Sequence, residues 1–136
     1  YGAGFETVIA SGLAGATEGA RLCLPATKLG LTPPLTPDRV ADAGGKKRAS
    51  EIALTGEPID AEKAAEWGIV NRVVGKEELE GTADGFVSSI AEGDREATSL
   101  TKERISSPRT DEDSEVTADR FASEEARGRF NDAADG

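Results

Sequence analysis

Strand-forming runs are few and short in this chain, whereas helical spacing recurs from one end to the other, and that imbalance narrows the folds open to it. Leu13 to Thr17, the dipeptide Glu18-Gly19, and Ala20 to Leu24 read as a hairpin with a two-residue turn. Ile69 to Val74 is the one other β run. Gly2-Ala3-Gly4 reads as a glycine turn opening a helix of about ten residues. Apolar residues at Ala49, Ile52 and Ala53 predict a helix from Lys46 that stops at Gly56. Asp60 suits the N-cap of a short helix through Trp67, with Gly68 as its C-terminal stop. Leu79, Ala83, Phe86, Val87 and Ile90 trace one helical stripe, weakened by about 1 kcal/mol at each of Gly81 and Gly85. Ala97, Leu100 and Ile105 predict another helix before Pro108, and Phe121, Ala122, Ala126 and Phe130 a last, acidic one. Between these elements, Pro25, Pro33, Pro34 and Pro37 make a loop with rigid corners. The order is helix, hairpin, helix pair, strand and three helices: an α/β chain with too few strands to cover its helices.

Charge sharpens this division. The 136 residues carry 16 Lys and Arg against 26 Asp and Glu, a net charge of -10. That balance argues against nucleic acid or an anionic membrane as partner, since either requires a basic footprint. No run approaches the ~20 apolar residues of a membrane span. Residues 1–70 have a net charge of only -2 and residues 71–136 one of -8, so the core and any site are expected in the first part and a solvated helical shell in the second. The acidic excess fits either a halophilic adaptation or an ordinary acidic cytoplasmic protein. A single cysteine, Cys23, leaves no internal disulfide and fits a reduced, cytoplasmic compartment; it reads as a buried small hydrophobe. There is no histidine. Ser-His-Asp and Cys-His catalysis are thereby excluded within these residues, as are His-based and four-thiolate metal sites, and no metal is expected. Chemistry is left to carboxylates, main-chain amides, Lys, Tyr and hydroxyls. There is also no methionine, so Tyr1 is expected to open a processed product or a fragment.

Within those limits, Gly2-Ala3-Gly4-Phe5-Glu6 is the first candidate. Glycines on both sides of Ala3 let the backbone approach a ligand closely, and a helix starting here points free amides and the positive end of its dipole outward. Such amides can receive the negative charge that develops when a thioester becomes an enolate. Glu6 lies one turn inside, where the dipole complements a carboxylate, which suits a base better than an acid. The alternative is a glycine-rich helix start with an ordinary first-turn glutamate.

A longer series of motifs follows in fixed order: Ala20-Arg21-Leu22-Cys23-Leu24-Pro25, Lys28-Leu29-Gly30-Leu31-Thr32-Pro33, Gly45-Lys46-Lys47-Arg48-Ala49, Leu54-Thr55-Gly56-Glu57-Pro58-Ile59-Asp60-Ala61, and Ala64-Ala65-Glu66-Trp67-Gly68-Ile69-Val70-Asn71-Arg72-Val73-Val74. Together with the glycine turn they resemble the C-terminal half of the crotonase, or enoyl-CoA hydratase/isomerase, superfamily. The resemblance runs from Gly2 to about Ile105 and more loosely to Gly128. It implies an α/β fold, a partial crotonase-like spiral of β-β-α units over residues 1–74, followed by C-terminal helices over 75–136 that form an acidic, trimerisation-type region. It implies an acyl-CoA substrate, with coenzyme A as part of that substrate and no separate cofactor, and a homo-trimer or dimer of trimers. It makes the Ala3 amide one of two oxyanion donors and Glu6 the first of two acid/base glutamates. Gly2, Pro25, Ala26 and Leu31 then line the substrate with them.

This sequence departs from the pattern in three places. The second glutamate of a hydratase would follow Pro25, where this chain has Ala26, whose methyl group can neither hold nor protonate a water. Pro34-Leu35-Thr36-Pro37-Asp38-Arg39 replaces a glycine-rich stretch, so that two extra prolines fix φ in a loop that lines the acyl end of the pocket in relatives. Asp38 there is either a replacement carboxylate or a helix N-cap. The upstream segment that supplies the second oxyanion amide, Ala-x-Ser-Ala-Gly-x-Asp, does not occur in these residues, and without such a donor a rate falls by ~10²–10³. The isolated chain is therefore expected to be an incomplete enzyme.

Lys46-Lys47-Arg48 either meets CoA phosphates or is a solvated helix start. Trp67 reads as a core anchor, Lys102 as surface, and Phe121 as either a CoA contact across subunits or packing. Two functions follow. One is an enoyl-CoA hydratase, with a one-carboxylate isomerase close behind on chemistry. The other is a truncated or degenerate family member serving as a non-catalytic assembly or binding subunit.

Overall fold

The first helix owes its start to one glycine. Gly2 takes φ 54° and ψ -125°, a conformation that a side chain would strain, and from it α1 runs Ala3–Ala10. The computed structural model describes residues 1–33 and 36–106; the predicted helix with Phe121, Ala122, Ala126 and Phe130, and the Pro34 corner, lie outside them. The chain divides into two compact units, Tyr1–Val87 and Ser88–Gly136.

In the first unit α1 is followed by the strands β1 (Gly15–Thr17) and β2 (Arg21–Leu22), a 3-10 turn over Pro25–Leu29, and the helices α2 (Thr36–Gly44) and α3 (Lys46–Thr55). Then come β3 (Ile59–Asp60), α4 (Ala61–Glu66), β4 (Arg72–Val74) and α5 (Leu79–Ala91), whose residues from Ser88 onward belong to the second unit. The architecture is mixed α/β and rich in helix, as the sequence predicts. Phe5 and Ile9 of α1 pack with Leu22, Leu24, Val40, Ile52, Trp67 and Val70 in one core. Among the described residues every buried hydrophobic lies between Phe5 and Val70, which places the core where the charge distribution puts it. α2 packs on α3 and on α1.

The predicted hairpin does not form. Its turn is real, with the Ala20 amide donating to the Thr17 carbonyl at 3.0 Å and Gly19 at φ 77°. However, the strands part on either side of it. β1 pairs in parallel with β4 (Gly15↔Arg72, Thr17↔Val74), whereas β2 pairs antiparallel with β3 (Arg21↔Asp60, Leu22↔Ile59). Asn71 sets the first of these registers. Its Oδ1 accepts from the Ala14 amide at 2.8 Å while its own amide donates to the Ala14 carbonyl at 2.7 Å.

The punctuation of α3 and α4 follows the sequence. Gly56 ends α3 in the left-handed region at φ 59°. Asp60 caps α4, its carboxylate accepting from the Lys63 amide at 2.7 Å. Trp67 is 5% exposed, its ring flanked by Lys63 Nζ at 4.7 Å and Arg48 Cζ at 5.7 Å from the centroid. The stripe on α5 is a different matter: none of its residues is buried. Leu79 lies over Gly15, and the Arg72 guanidinium covers the Phe86 ring at 5.9 Å, but Val87 and Ile90 face solvent. A helical period marks a face that could be buried, without supplying the surface that buries it.

In the second unit the predicted helix before Pro108 is α6, Arg95–Ser106. Asp94 opens it, its carboxylate accepting from the Ala97 amide at 2.8 Å and its carbonyl from the Thr98 amide at 2.9 Å.

Candidate active site

Ala3 is the first residue of α1, so its N–H has no acceptor within the helix, and the residue is exposed. Beside it the Gly4 amide turns back to the Tyr1 carbonyl at 3.2 Å, and the Glu6 amide closes the first helical turn on Gly2 at 3.1 Å. Glu6 is half-buried one turn in, next to the fully enclosed ring of Phe5. The chain thus sets a main-chain amide that lacks an intrahelical acceptor and a carboxylate on a single anchored turn, and the helix dipole favours negative charge at that end.

One main-chain hydrogen bond ties the segment that holds the remaining predicted site residues to this turn, and a second closes that segment on itself. The Gly2 amide donates to the Cys23 carbonyl at 3.0 Å, and two residues later Pro25 and Ala26 begin the 3-10 turn, both half-buried. Gly30 ends that turn in the left-handed region at φ 72°, which lets the Leu31 amide return to the Ala26 carbonyl at 2.9 Å. Leu31 is left 62% exposed. Gly2, Ala3, Glu6, Pro25, Ala26 and Leu31 therefore belong to two neighbouring segments tied at Gly2–Cys23. The position after Pro25 holds a methyl group, so Glu6 is the carboxylate that these segments contribute.

Other predicted residues are placed elsewhere. Asp38 is not the cap of α2: the helix starts two residues before it, and Asp38 lies exposed in the first turn, where a carboxylate complements the dipole. The basic cluster is split. Lys46 and Lys47 are exposed at the start of α3, whereas Arg48 turns to the carboxylate of Glu66 at 3.5 Å and to the Trp67 ring. Lys102 is exposed on α6. Among the described residues no three His, Cys, Asp or Glu side chains gather in a way that could hold a metal, and no helix is long and apolar enough to cross a membrane.

Sequence reasoning missed the support behind the Pro25–Ala26 segment. Cys23 is buried, and its thiol donates to the Gly56 carbonyl at 3.3 Å; the Thr27 hydroxyl donates to the Ala53 carbonyl at 3.1 Å; and Lys28 pairs with Glu57. The glycine that ends α3 was a visible signal of a close approach, but its partners are about thirty residues away in sequence.

An amide-first helix, a half-buried glutamate behind it and a proline-led 3-10 turn tied to it by one main-chain bond are the parts that this mixed α/β chain holds together. The sequence profile of the enoyl-CoA hydratase/isomerase family matches residues 1–127, and the chain belongs to that family. The carnitinyl-CoA dehydratase of Salmonella typhi is 38% identical over 88 residues, covering 58% of this chain and 31% of the relative. An enoyl-CoA hydratase subunit I from Geobacillus kaustophilus superposes with a TM-score of 0.87 at 29% identity, covering 98% of this chain and 55% of that one. An enoyl-CoA hydratase-type protein of Thermobifida fusca, solved in complex with CoA, gives a TM-score of 0.77 at 30% identity over 99% of this chain and 52% of its own. The chain thus spans about a third of the curated relatives it matches and about half of the solved ones.

Proposed function

We propose that this chain contributes one oxyanion donor, the Ala3 amide, and one proton-transferring carboxylate, Glu6, to a site of the enoyl-CoA hydratase/isomerase type. The observation that carries this reading is the glycine-initiated turn itself, which presents an amide without an intrahelical acceptor one turn ahead of a half-buried glutamate. An acyl-CoA thioester is the substrate class the family relation favours, and the related Thermobifida fusca protein has been solved with CoA and with acetoacetyl-CoA. Coenzyme A enters as part of the substrate, without a separate cofactor. The second oxyanion amide is assigned to an upstream Ala-x-Ser-Ala-Gly-x-Asp segment, as the family resemblance implies.

The thioester oxygen would accept from Ala3 N–H and that second amide, lowering the cost of the enolate. Glu6 would take a proton from one carbon of the acyl chain and return it to another, which shifts a double bond with a single carboxylate. Addition of water across a double bond calls for a second group to orient the water, and Ala26 removes the one that would follow Pro25. Isomerisation or another one-carboxylate enolate reaction is therefore favoured on chemistry within the hydratase/isomerase family. Assembly as a cytoplasmic homo-trimer or dimer of trimers completes the proposal, and size-exclusion measurement with and without an acyl-CoA tests the assembly.

The deciding experiment supplies crotonyl-CoA and a 3-enoyl-CoA to the full-length purified protein and to its Glu6→Gln variant. Turnover of the 3-enoyl substrate that the variant loses supports the reading. The methyl of Ala26 also favours a second reading, a non-catalytic assembly or binding subunit, and binding of both esters with turnover of neither would establish that one in its place.

A further inference from the structure

We propose that the turn closing α3 is a positioning element for this site: Gly56, clasped by Cys23, Thr27 and Lys28, fixes the Pro25–Ala26 segment and, through Cys23, the Gly2–Ala3 turn. The proposal rests on the reading of Ala3 and Glu6 as the reacting groups.

Three side chains from one six-residue stretch reach the same helix end. Cys23 Sγ donates to the Gly56 carbonyl at 3.3 Å and Thr27 Oγ1 to the Ala53 carbonyl at 3.1 Å. The Lys28 ammonium pairs with Glu57, and its methylene stem lies on Gly56, where an added Cβ would come within 3.2 Å of Lys28 Cε. The last carbonyls of a helix lack donors of their own, so these hydroxyl and thiol contacts satisfy groups that would otherwise need water. Gly56 is required twice over, by φ 59° and by the lysine stem on its open side.

Cys23 is engaged at both of its ends. Its side chain holds Gly56, and its carbonyl accepts from the Gly2 amide at 3.0 Å. At 3% exposure neither bond competes with solvent. Cys23 is therefore a hydrogen-bonded link between the α3 turn and the turn that aims the Ala3 amide, beside the apolar packing of Phe5 and Ile52 in the shared core. Geometry of this kind matters to rate, since a shift of about 1 Å at a reacting group can cost ~10²-fold.

The test uses the full-length protein with Cys23→Ala, Cys23→Ser and, as a control for general loss of stability, Ile69→Ala, which empties a core position outside the clasp. Two readouts are taken: kcat and KM for an enoyl-CoA, and hydrogen exchange of the segment 1–6. Cys23→Ala is expected to lower kcat about tenfold with KM little changed, and to speed exchange of that segment about tenfold. Cys23→Ser, whose hydroxyl can donate to the same carbonyl, should recover most of both. Ile69→Ala should lower the melting temperature at least as far while leaving both readouts near the parent values. The proposal is overturned if Cys23→Ala leaves segment exchange unchanged, or if Ile69→Ala alters kcat and exchange as strongly as Cys23→Ala does. It is likewise overturned if exchange responds while measurable turnover does not. Absence of turnover in the unmodified protein would instead defeat the proposed function, and exchange alone would then decide whether the clasp holds the turn.

Discussion

At Asn71 a single side chain replaces what a longer strand pair would provide. It exchanges two hydrogen bonds with Ala14 immediately before a parallel ladder of only three residue pairs. Asn71→Ala keeps the main-chain bond and leaves the Ala14 amide short of its acceptor, so a loss of about 1 kcal/mol is expected, read as a lower denaturation midpoint with an unchanged slope. Glu6 poses the complementary question, about chemistry in place of stability. Glu6→Gln keeps the size of the side chain and removes its capacity to take a proton, and general acid–base groups contribute about 10²–10⁴-fold. The expected result is a loss of kcat of that order with the melting temperature almost unchanged; equal rates in both proteins would remove Glu6 from the mechanism. The glycine turn and its glutamate were legible because they are local, five consecutive residues whose conformation follows from their own chemistry. The Gly2–Cys23 and Cys23–Gly56 bonds were not legible, because nothing in a run such as Arg21-Leu22-Cys23-Leu24 says where its main-chain groups find partners.

The same contrast governs the elements. α3 and α4 stop and start where their glycines and Asp60 put them, because caps act within four residues. Asp60→Ala should therefore cost about 1 kcal/mol, visible as a lower melting temperature, and Asp60→Asn, which can accept from the same Lys63 amide, should recover most of it. The hairpin shows where local reasoning gives out. Glu18-Gly19 does make a turn, but a turn decides only that the chain changes direction. Which strands then pair is decided by burial: Leu22 and Ile59 are both buried and lie opposite one another across β2 and β3. Pairing across some forty to sixty residues requires loop closure that short-range pattern does not encode. α5 repeats the lesson in helical form, since its stripe is well spaced but Val87 and Ile90 stay exposed.

Across the whole molecule the decisive quantity is charge. The described ion pairs, Lys28–Glu57, Arg48–Glu66 and Lys63–Glu51, are open to water, with side chains between 36% and 72% exposed, and pairs of that kind contribute about 0–1 kcal/mol each. Against them stands the mutual repulsion of a net charge of -10. At ~0.01 M salt the screening length is ~30 Å, so carboxylates well separated from one another still repel; at ~0.15 M it is ~8 Å, and only neighbours interact. Added salt therefore removes the long-range repulsion, which acts on the compact state more than on the expanded one, before it weakens contacts at ion-pair distance. The melting temperature should rise by a few degrees between those two salt concentrations, equivalent to about 1 kcal/mol for a chain of this size. Neutralising two exposed acids that belong to none of these ion pairs and to no first helical turn, Glu18→Gln and Asp84→Asn, should give part of the same gain at low salt and flatten the salt dependence. A melting temperature that falls steadily over the same range would mean that the local pairs outweigh the global field, and that the acidic surface is matched by its few cations more closely than its net charge suggests.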